Sequence, residues 1–485
     1  MKEQINIVWF KRDLRLEDHL PLKVAIEDEL PILMIYILEP SLIFAPYSDL
    51  RHWRFVIESI ANINSKLKKF SIKLYILYGE VLTIFERILQ YYDVKKIYSH
   101  QETGTWLTYQ RDIETKKYLK SKGIIWKEFQ NNAIIRGLKN RENWNEKRIE
   151  FLSKPLENPH LERLKPFQLN SDIVYYFSPD NFISQINFNH QMQKGGEDEA
   201  KKTLSSFLNQ RHKGYLKNIS RPEESRFHCS RLSPYIAWGN LSIRQVEQQT
   251  LKAIEKNSSK KDLMAFQSRV AWHCHFIQKL ETEPEYEFKN VNSAYDKIRL
   301  DWNEKYFLSW KEGLTGYPLI DACMRCVKET GYINFRMRAM LVSFLTHHLW
   351  LDWKQGANFL AKQFLDFEPG IHFPQFQMQA GTTGINTIRI YNPTKQALDN
   401  DQNAIFIKKW IPELSKLPAQ LALQPWLITP VEEIDFNFSY GKDYPVRIVD
   451  TEETYKKASK ILWDIKKSQD SKLEAEKILA RHVKA

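Results

Sequence analysis

INIVWFKRDLRLEDH, Ile5–His19, decides how the chain is read: a short apolar run breaks off directly into charge. Three more runs of the same kind follow, PILMIYIL (31–38), IKLYILY (72–78) and KKIYSH (95–100). Amphipathic stretches lie between them, such as RHWRFVIESIANINSKLKKF (51–70) and the segment around TYQRDIETKKYL (108–119). Short strands alternating with helices predict a parallel, doubly wound, Rossmann-like sheet over residues 1–130. No G-x-G-x-x-G or Walker loop accompanies it, and the whole chain holds only 16 glycines. A standard dinucleotide or nucleotide-triphosphate site is therefore not expected in this domain.

The alternation stops after residue 130. Residues 131–194 are rich in Asn, Pro and Lys, with ENPHLERLKPF in the middle, and read as a connector laid over the surface. From Gly195 to residue 485 the apolar positions recur at helical spacing, as in LSIRQVEQQTLKAIEK and INFRMRAMLVSFLTHHLWLDW. The expectation is an α/β domain followed by an all-helical one, consistent with 485 residues exceeding a single core. The final stretch, TYKKASKILWDIKKSQDSKLEAEKILARHVKA, reads as basic amphipathic helix, docked rather than a free nucleic-acid arm.

The charge balance is 71 basic against 59 acidic residues, a net of +12, which suits a polyanionic partner if concentrated on one face and solubility if spread. Four cysteines do not make a disulfide framework and fit a reducing cytoplasm. Cys323 and Cys326 have C-x-x-C spacing without a second pair, so buried small side chains are expected there and no metal. The N-terminus lacks a signal-peptide core, and no apolar run is long enough to span a membrane. A cytoplasmic, soluble monomer is the expectation.

Two segments carry the chemistry: INFRMRAM (Ile333–Met340) and DWKQGANFLAKQFLDFEPGIHFPQFQMQAGTTGINTIR (Asp352–Arg389). Arg336 and Arg338 stand two apart in the first, Asp366 and Glu368 two apart in the second. Such a set is either an interior salt bridge or the floor of a pocket for a large anionic cofactor. SRLSP (Ser230–Pro234) places hydroxyls and a guanidinium just before a helix start, where a phosphate is favoured or where a simple cap would do.

WFKRDLRLEDHLPL (9–22), CSRLSPYIAWGNLSIRQV (229–246), WKEGLTGYPLIDACMR (310–325) and RIYNPTKQALDNDQNAIFIKKWIPEL (389–414) together resemble the signatures of the cryptochrome/DNA photolyase family, in order along the chain. The resemblance implies FAD in the helical domain and blue-light-driven repair of pyrimidine photoproducts, cyclobutane dimers or (6-4) products, in UV-damaged DNA. It implies that Cys229, Ser230, Arg231, Leu232 and Ser233 wrap the flavin diphosphate, with Tyr215 and Arg269 beside it. Cys229 stands where the family usually has a hydroxyl residue. Arg338 and Asp366 resemble the ion pair beside the flavin ring, with Glu368 in the next acidic position. A cation there favours the anionic reduced flavin.

Three departures stand out against that pattern. His372 matches the usual Asn facing flavin N5; it is either a neutral hydrogen-bonding group or a general acid of the kind (6-4) repair needs. Trp302 and Trp353 match the outer two members of a tryptophan electron relay, but Phe376 occupies the inner place. The relay is then interrupted or rerouted through Trp350, Tyr332 or Tyr391. The two tryptophans that sandwich a flipped dimer appear as Ser268 and Met378, and the base-reading glutamate as Ala265. Trp272 is the candidate replacement wall, and Gln375, Gln377 and Met378 are candidates for lesion contacts or for plain interior lining. The His-His pair of eukaryotic (6-4) enzymes corresponds to Asn334 and Phe335, and His347 and His348 read as structural.

Arg221, Arg336 and Arg389 are placed to clamp the phosphates flanking a lesion. Glu102, in SHQETGTWLTYQRD (99–112) at a strand end, is a candidate contact for a folate or flavin antenna chromophore. The rival reading is a cryptochrome-type photoreceptor without repair activity. A dark flavin oxidoreductase finds no nicotinamide fingerprint to support it.

Overall fold

The computed structural model describes residues 2–188, 190–256 and 260–483. Five parallel strands, β1 (Glu3–Phe10), β2 (Ile32–Leu38), β3 (Leu74–Tyr78), β4 (Tyr92–His100) and β5 (Ile125–Phe129), form one sheet in the order β3-β2-β1-β4-β5. The order reverses at β1, which pairs Val8 with Met34 on one side and with Tyr98 on the other. Every residue of β2 is buried, as a parallel sheet covered on both faces requires.

Alternate residues of each strand enter separate cores. Ile5, Ile7, Trp9, Leu33 and Ile35 pack with Ile84, Phe85 and Leu119 on one face. Val8, Phe10, Met34 and Tyr36 pack with Leu22, Phe55 and Ile60 on the other. That second core continues into the helical part through Tyr235, Trp238, Phe266, Ile277 and Leu365. The sheet and the first helices therefore share one apolar interior. A third core, around Trp310, Phe344 and Trp353, is built mainly by the later helices, with Ala45 and Tyr47 joining it from the N-terminal part.

The segment 131–194 is more ordered than its composition suggests. It carries helices Trp144–Ser153, Ser171–Tyr176 and Asp180–Ile183, and Phe167, Leu169, Ile173 and Phe177 enter the sheet core. Tyr78 N–H donates to the Phe177 carbonyl at 2.8 Å, so the segment covers the exposed edge at β3. The connector expected over the surface also closes one edge of the sheet.

INFRMRAMLVSFLTHHLWLDW is likewise not one helix. Helix Phe335–Ser343 widens into a π-turn at Phe344–His348, and Trp350 takes a left-handed backbone (φ 54°) before helix Trp353–Gln363 begins. The C-terminal stretch docks as expected, as two helices broken at Ser468, Thr451–Lys467 and Gln469–His482, with Ala458, Leu462 and Ile478 buried. Among the described residues no helix is long and apolar enough to cross a membrane.

Candidate active site

The short helix Ser233–Ala237 is preceded by Arg231 in the left-handed region (φ 60°), a costly conformation for a residue with a Cβ. Arg211 holds that turn from behind, donating to the carbonyls of Cys229 and Ser230. Arg231 itself donates from Nε and Nη2 to Gln193 Oε1 at 3.1 and 2.9 Å, and lies 3.6 Å over the Tyr332 ring. Burial pushes the Cys229 thiol up to about 11, so it is a neutral group.

The Tyr215 hydroxyl meets Arg269 on helix Lys261–Thr282. Ser233 hydrogen-bonds the Asp366 carboxylate, which Arg338 grips with both Nη atoms at 3.0 and 2.9 Å. Burial raises the Asp366 pKa, but the Arg338 charge and hydrogen bonds outweigh it and hold the carboxyl below its ordinary value. Ser233, Asp366 and Arg338 are thus linked, and Tyr215 meets Arg269 beside the turn that carries Cys229, Ser230, Arg231 and Leu232. Arg269 is exposed and has no ion pair among the described residues. Hydroxyls and an unpaired guanidinium beside a charge pair suit a diphosphate joined to a polar ring, so these residues fit FAD.

Glu368 does not belong to that set. It caps helix Pro369–Ala380 and sits 3.8 Å from Arg12 of the sheet domain, facing a small cleft lined by Lys11, Asp13 and His100. The turn at 365–366 separates it from Asp366. Gln377 is also misplaced as a lesion reader. It is fully buried, its amide donates to the Tyr286 and Lys289 carbonyls and its oxygen accepts from Val291 N–H. Gln375 is partly exposed with Oε1 buried and unpaired, and Met378 is partly exposed.

On helix Lys261–Thr282, Ser268 and Arg269 are exposed and Trp272 is 48% exposed, stacked on Phe276 at 5.7 Å. Arg389 is exposed, Arg221 half-buried, and Arg336 reaches Gln396 while its Nε has no partner.

His372 is buried among Phe364, Phe367, Phe373 and Phe376, and its Nε2 lies 2.8 Å from the Ala357 carbonyl. A carbonyl only accepts, so Nε2 carries the proton and Nδ1 is left as an acceptor. Burial drives its pKa down to about 4, which leaves no imidazolium to serve as an acid near neutrality. His347 and His348 are buried and lowered as well, bonded to the Gln379 and Tyr391 carbonyls.

Phe376 is 3% exposed, 5.2 Å from His372. Trp353 is buried, donating to Asn290, and Trp302 donates to Glu304 near the surface. Two of the three substitute relay positions, Trp350 and Tyr332, carry a cation on the ring face. Arg299 lies 4.8 Å over Trp350, and Arg231 covers Tyr332. A cation on the ring face stabilises the neutral aromatic and opposes loss of an electron from it.

Asp13, His19 and His100 come within 4.8 Å of one another and have the composition of a metal site. The hydrogen bonds argue otherwise. His19 Nδ1 accepts from Leu22 N–H, which places the proton on Nε2, the nitrogen a metal would need bare. His100 Nδ1 is 2.7 Å from the same Asp13 oxygen. The trio is a carboxylate hydrogen-bonded by His100, with His19 Nε2 3.1 Å from the same oxygen.

A larger cleft of about 620 Å³ of empty space, open to solvent, lies beyond the C-terminal ends of β1 and β2. Trp9, Tyr36, Trp53, Trp238 and Phe367 supply aromatic walls. Glu102 and Glu39 share Arg111 there, and burial lifts Glu39 to about 7.

The fold joins a five-stranded parallel sheet to a helix-rich remainder. Residues 6–140 match the family model for DNA photolyase, and residues 266–464 match the model for the FAD binding domain of DNA photolyase. The two models span well over half of the chain, which belongs to the cryptochrome/DNA photolyase family. It is 27% identical over 476 residues to a deoxyribodipyrimidine photo-lyase of Alkalihalophilus pseudofirmus, covering 94% of this chain and 97% of that protein. It is 27% identical over 490 residues to a cryptochrome DASH of Synechocystis, again 94% and 97%. Among solved structures it resembles an archaeal photolyase from Sulfolobus tokodaii holding two FAD molecules, with TM-score 0.78, 26% identity and 95% and 99% coverage.

Proposed function

We propose that this protein is a blue-light DNA photolyase whose substrate is a cyclobutane pyrimidine dimer flipped from DNA. The observation that carries the reading is the cradle of Tyr215 and Arg269, Ser233 and the Arg338–Asp366 pair, with exposed Ser268 and Trp272 on the helix that bears Arg269. FAD bound there supplies an electron on illumination.

The protein's own groups do the remaining work. Arg338 and Asp366 orient the cofactor edge and exclude water from it. His372 stays neutral and offers Nδ1 as an acceptor. Trp272 provides a ring for a base to stack on, with Met378 and Gln375 as further lesion contacts, and Arg221, Arg336 and Arg389 hold the flanking phosphates. Splitting a dimer requires electron transfer and return but no acid, which suits a pocket whose histidines are held neutral. The alternative (6-4) substrate would require a proton donor that His372 does not supply.

The sheet-edge cleft takes a second, flavin-type antenna chromophore on this reading. Support comes from its aromatic walls and from the two FAD molecules of the Sulfolobus tokodaii photolyase. The cryptochrome alternative is favoured by one observation, the replacement of the sandwiching tryptophans by Ser268 and Met378.

The test is illumination of the reduced holoprotein with an oligonucleotide bearing one cyclobutane dimer. Restored pyrimidines only in the light are expected. Tight FAD binding with no restoration would assign a photoreceptor instead.

A further inference from the structure

The two halves of the flavin cradle come from distant parts of the chain, the turn and helix around 229–237 and the strip 365–368. Within the helical part they are joined by apolar packing of Leu365 with Leu232, Tyr235 and Trp238, by the Ser233–Asp366 contact and by an indole bond from Trp238 Nε1 to the Leu365 carbonyl at 3.0 Å. A side chain from the other domain also joins them. Arg12, two residues past the end of β1, donates from Nε to the Ala237 carbonyl at 2.9 Å. Its Nη2 donates to the Phe367 carbonyl and lies 3.8 Å from the Glu368 carboxylate. Its guanidinium plane rests 4.6 Å over the Trp238 ring.

One planar fork therefore bonds the last residue of the diphosphate helix and the residue beside Asp366 at once. The planar fork of arginine, with donors fixed at two separate nitrogens, suits this geometry better than a lysine ammonium, a single point charge on a flexible stem. The loop carrying Arg12 is itself fixed. Leu14 N–H donates to the Trp238 carbonyl, Arg15 Nη1 to the Gly239 carbonyl, and Asn240 to the Leu14 carbonyl. Gly239 has φ 73°, and a Cβ there would fall 2.3 Å from the Arg12 carbonyl oxygen, so only glycine permits this approach.

We infer that Arg12 is a positioning residue for the flavin: from the sheet domain it sets the spacing between the diphosphate helix and the Asp366 strip. Arg12 also lines both clefts between the sheet and the helical part. The inference rests on the cradle reading above.

The test compares Arg12→Met and Arg12→Lys with wild type and with Asp366→Ala, measuring FAD affinity of the apoprotein and the midpoint potential of the bound flavin. Arg12→Met is expected to weaken FAD about tenfold or more, as loss of charge-assisted hydrogen bonds predicts. It should also make the potential more negative, because Arg338 is less firmly held. Arg12→Lys should recover fold stability but not the affinity or potential. Wild-type affinity and potential in Arg12→Met, with Asp366→Ala impaired, would overturn the role of Arg12 alone. Wild-type affinity in Asp366→Ala would overturn the cradle and this inference together. If Arg12→Met does not fold, the Arg12→Lys values decide, and wild-type values there refute the inference.

Discussion

The floor proposed for the flavin and the wall proposed for the lesion were read from neighbouring stretches, yet only the ion pair of the floor formed as anticipated. Arg338 and Asp366 meet in a bidentate pair, and Ser233 lies against the same carboxylate. On the wall side, Gln377 is spent on backbone groups and only Gln375 and Met378 retain exposure. The difference lies in geometry. Gln375, Gln377 and Gln379 alternate as they would on a strand, but they lie in a helix, where residues two apart point about 200° away from each other. A pair of opposite charges specifies its own partner, whereas a row of amides specifies none until the backbone is known.

Asp366→Ala probes the floor and should have the largest effect. Breaking a buried pair costs several kcal/mol, so FAD affinity should fall by more than about a hundredfold. Retained colour after purification would remove the pair from the site.

The buried histidines bear on both regions. Burial lowers His52 and His372 to about 4 and His100 to about 3, against about 6.5 in an unfolded chain. The unfolded state then binds more protons below that value. Stability should be full above pH ~6.5 and fall toward pH 4, by up to about 1.4 kcal/mol per pH unit for each such group. Urea midpoints across that range would show it, and a flat profile would mean that these rings are open to protonation in the folded state.

Gln377→Ala separates structure from recognition on the wall. Leaving buried carbonyls and an N–H unpaired should cost about 2 kcal/mol of stability, while dimer affinity per folded molecule stays unchanged. A selective loss of lesion binding would return Gln377 to the wall. Phe376→Trp is the subtlest change. Because Arg299 covers Trp350 and Arg231 covers Tyr332, it should speed photoreduction of oxidised FAD, and an unchanged rate would place the electron route elsewhere, Tyr391 included.

The doubly wound sheet was legible because apolar runs and amphipathic stretches alternate cleanly from Ile5 onward. The cover at 131–194 was not, since Phe167, Leu169, Ile173 and Phe177 are spread thinly among Asn, Pro and Lys. Glu368 was misread because spacing along the chain does not reveal a turn. Arg12, Arg211 and Gln193 escaped notice because their bonds reach carbonyls or side chains far along the chain, which leave no local pattern. A positive charge just after a strand was the only available signal for Arg12.

Two oligonucleotides, one with a cyclobutane dimer and one with a (6-4) photoproduct, offered to the reduced holoprotein under blue light across the neutral pH range, test the central claim most directly. The account predicts that the dimer is restored at a rate independent of pH and that the (6-4) product is left intact. Repair of the (6-4) product, with a rate that titrates near neutrality and disappears in His372→Asn, would contradict it.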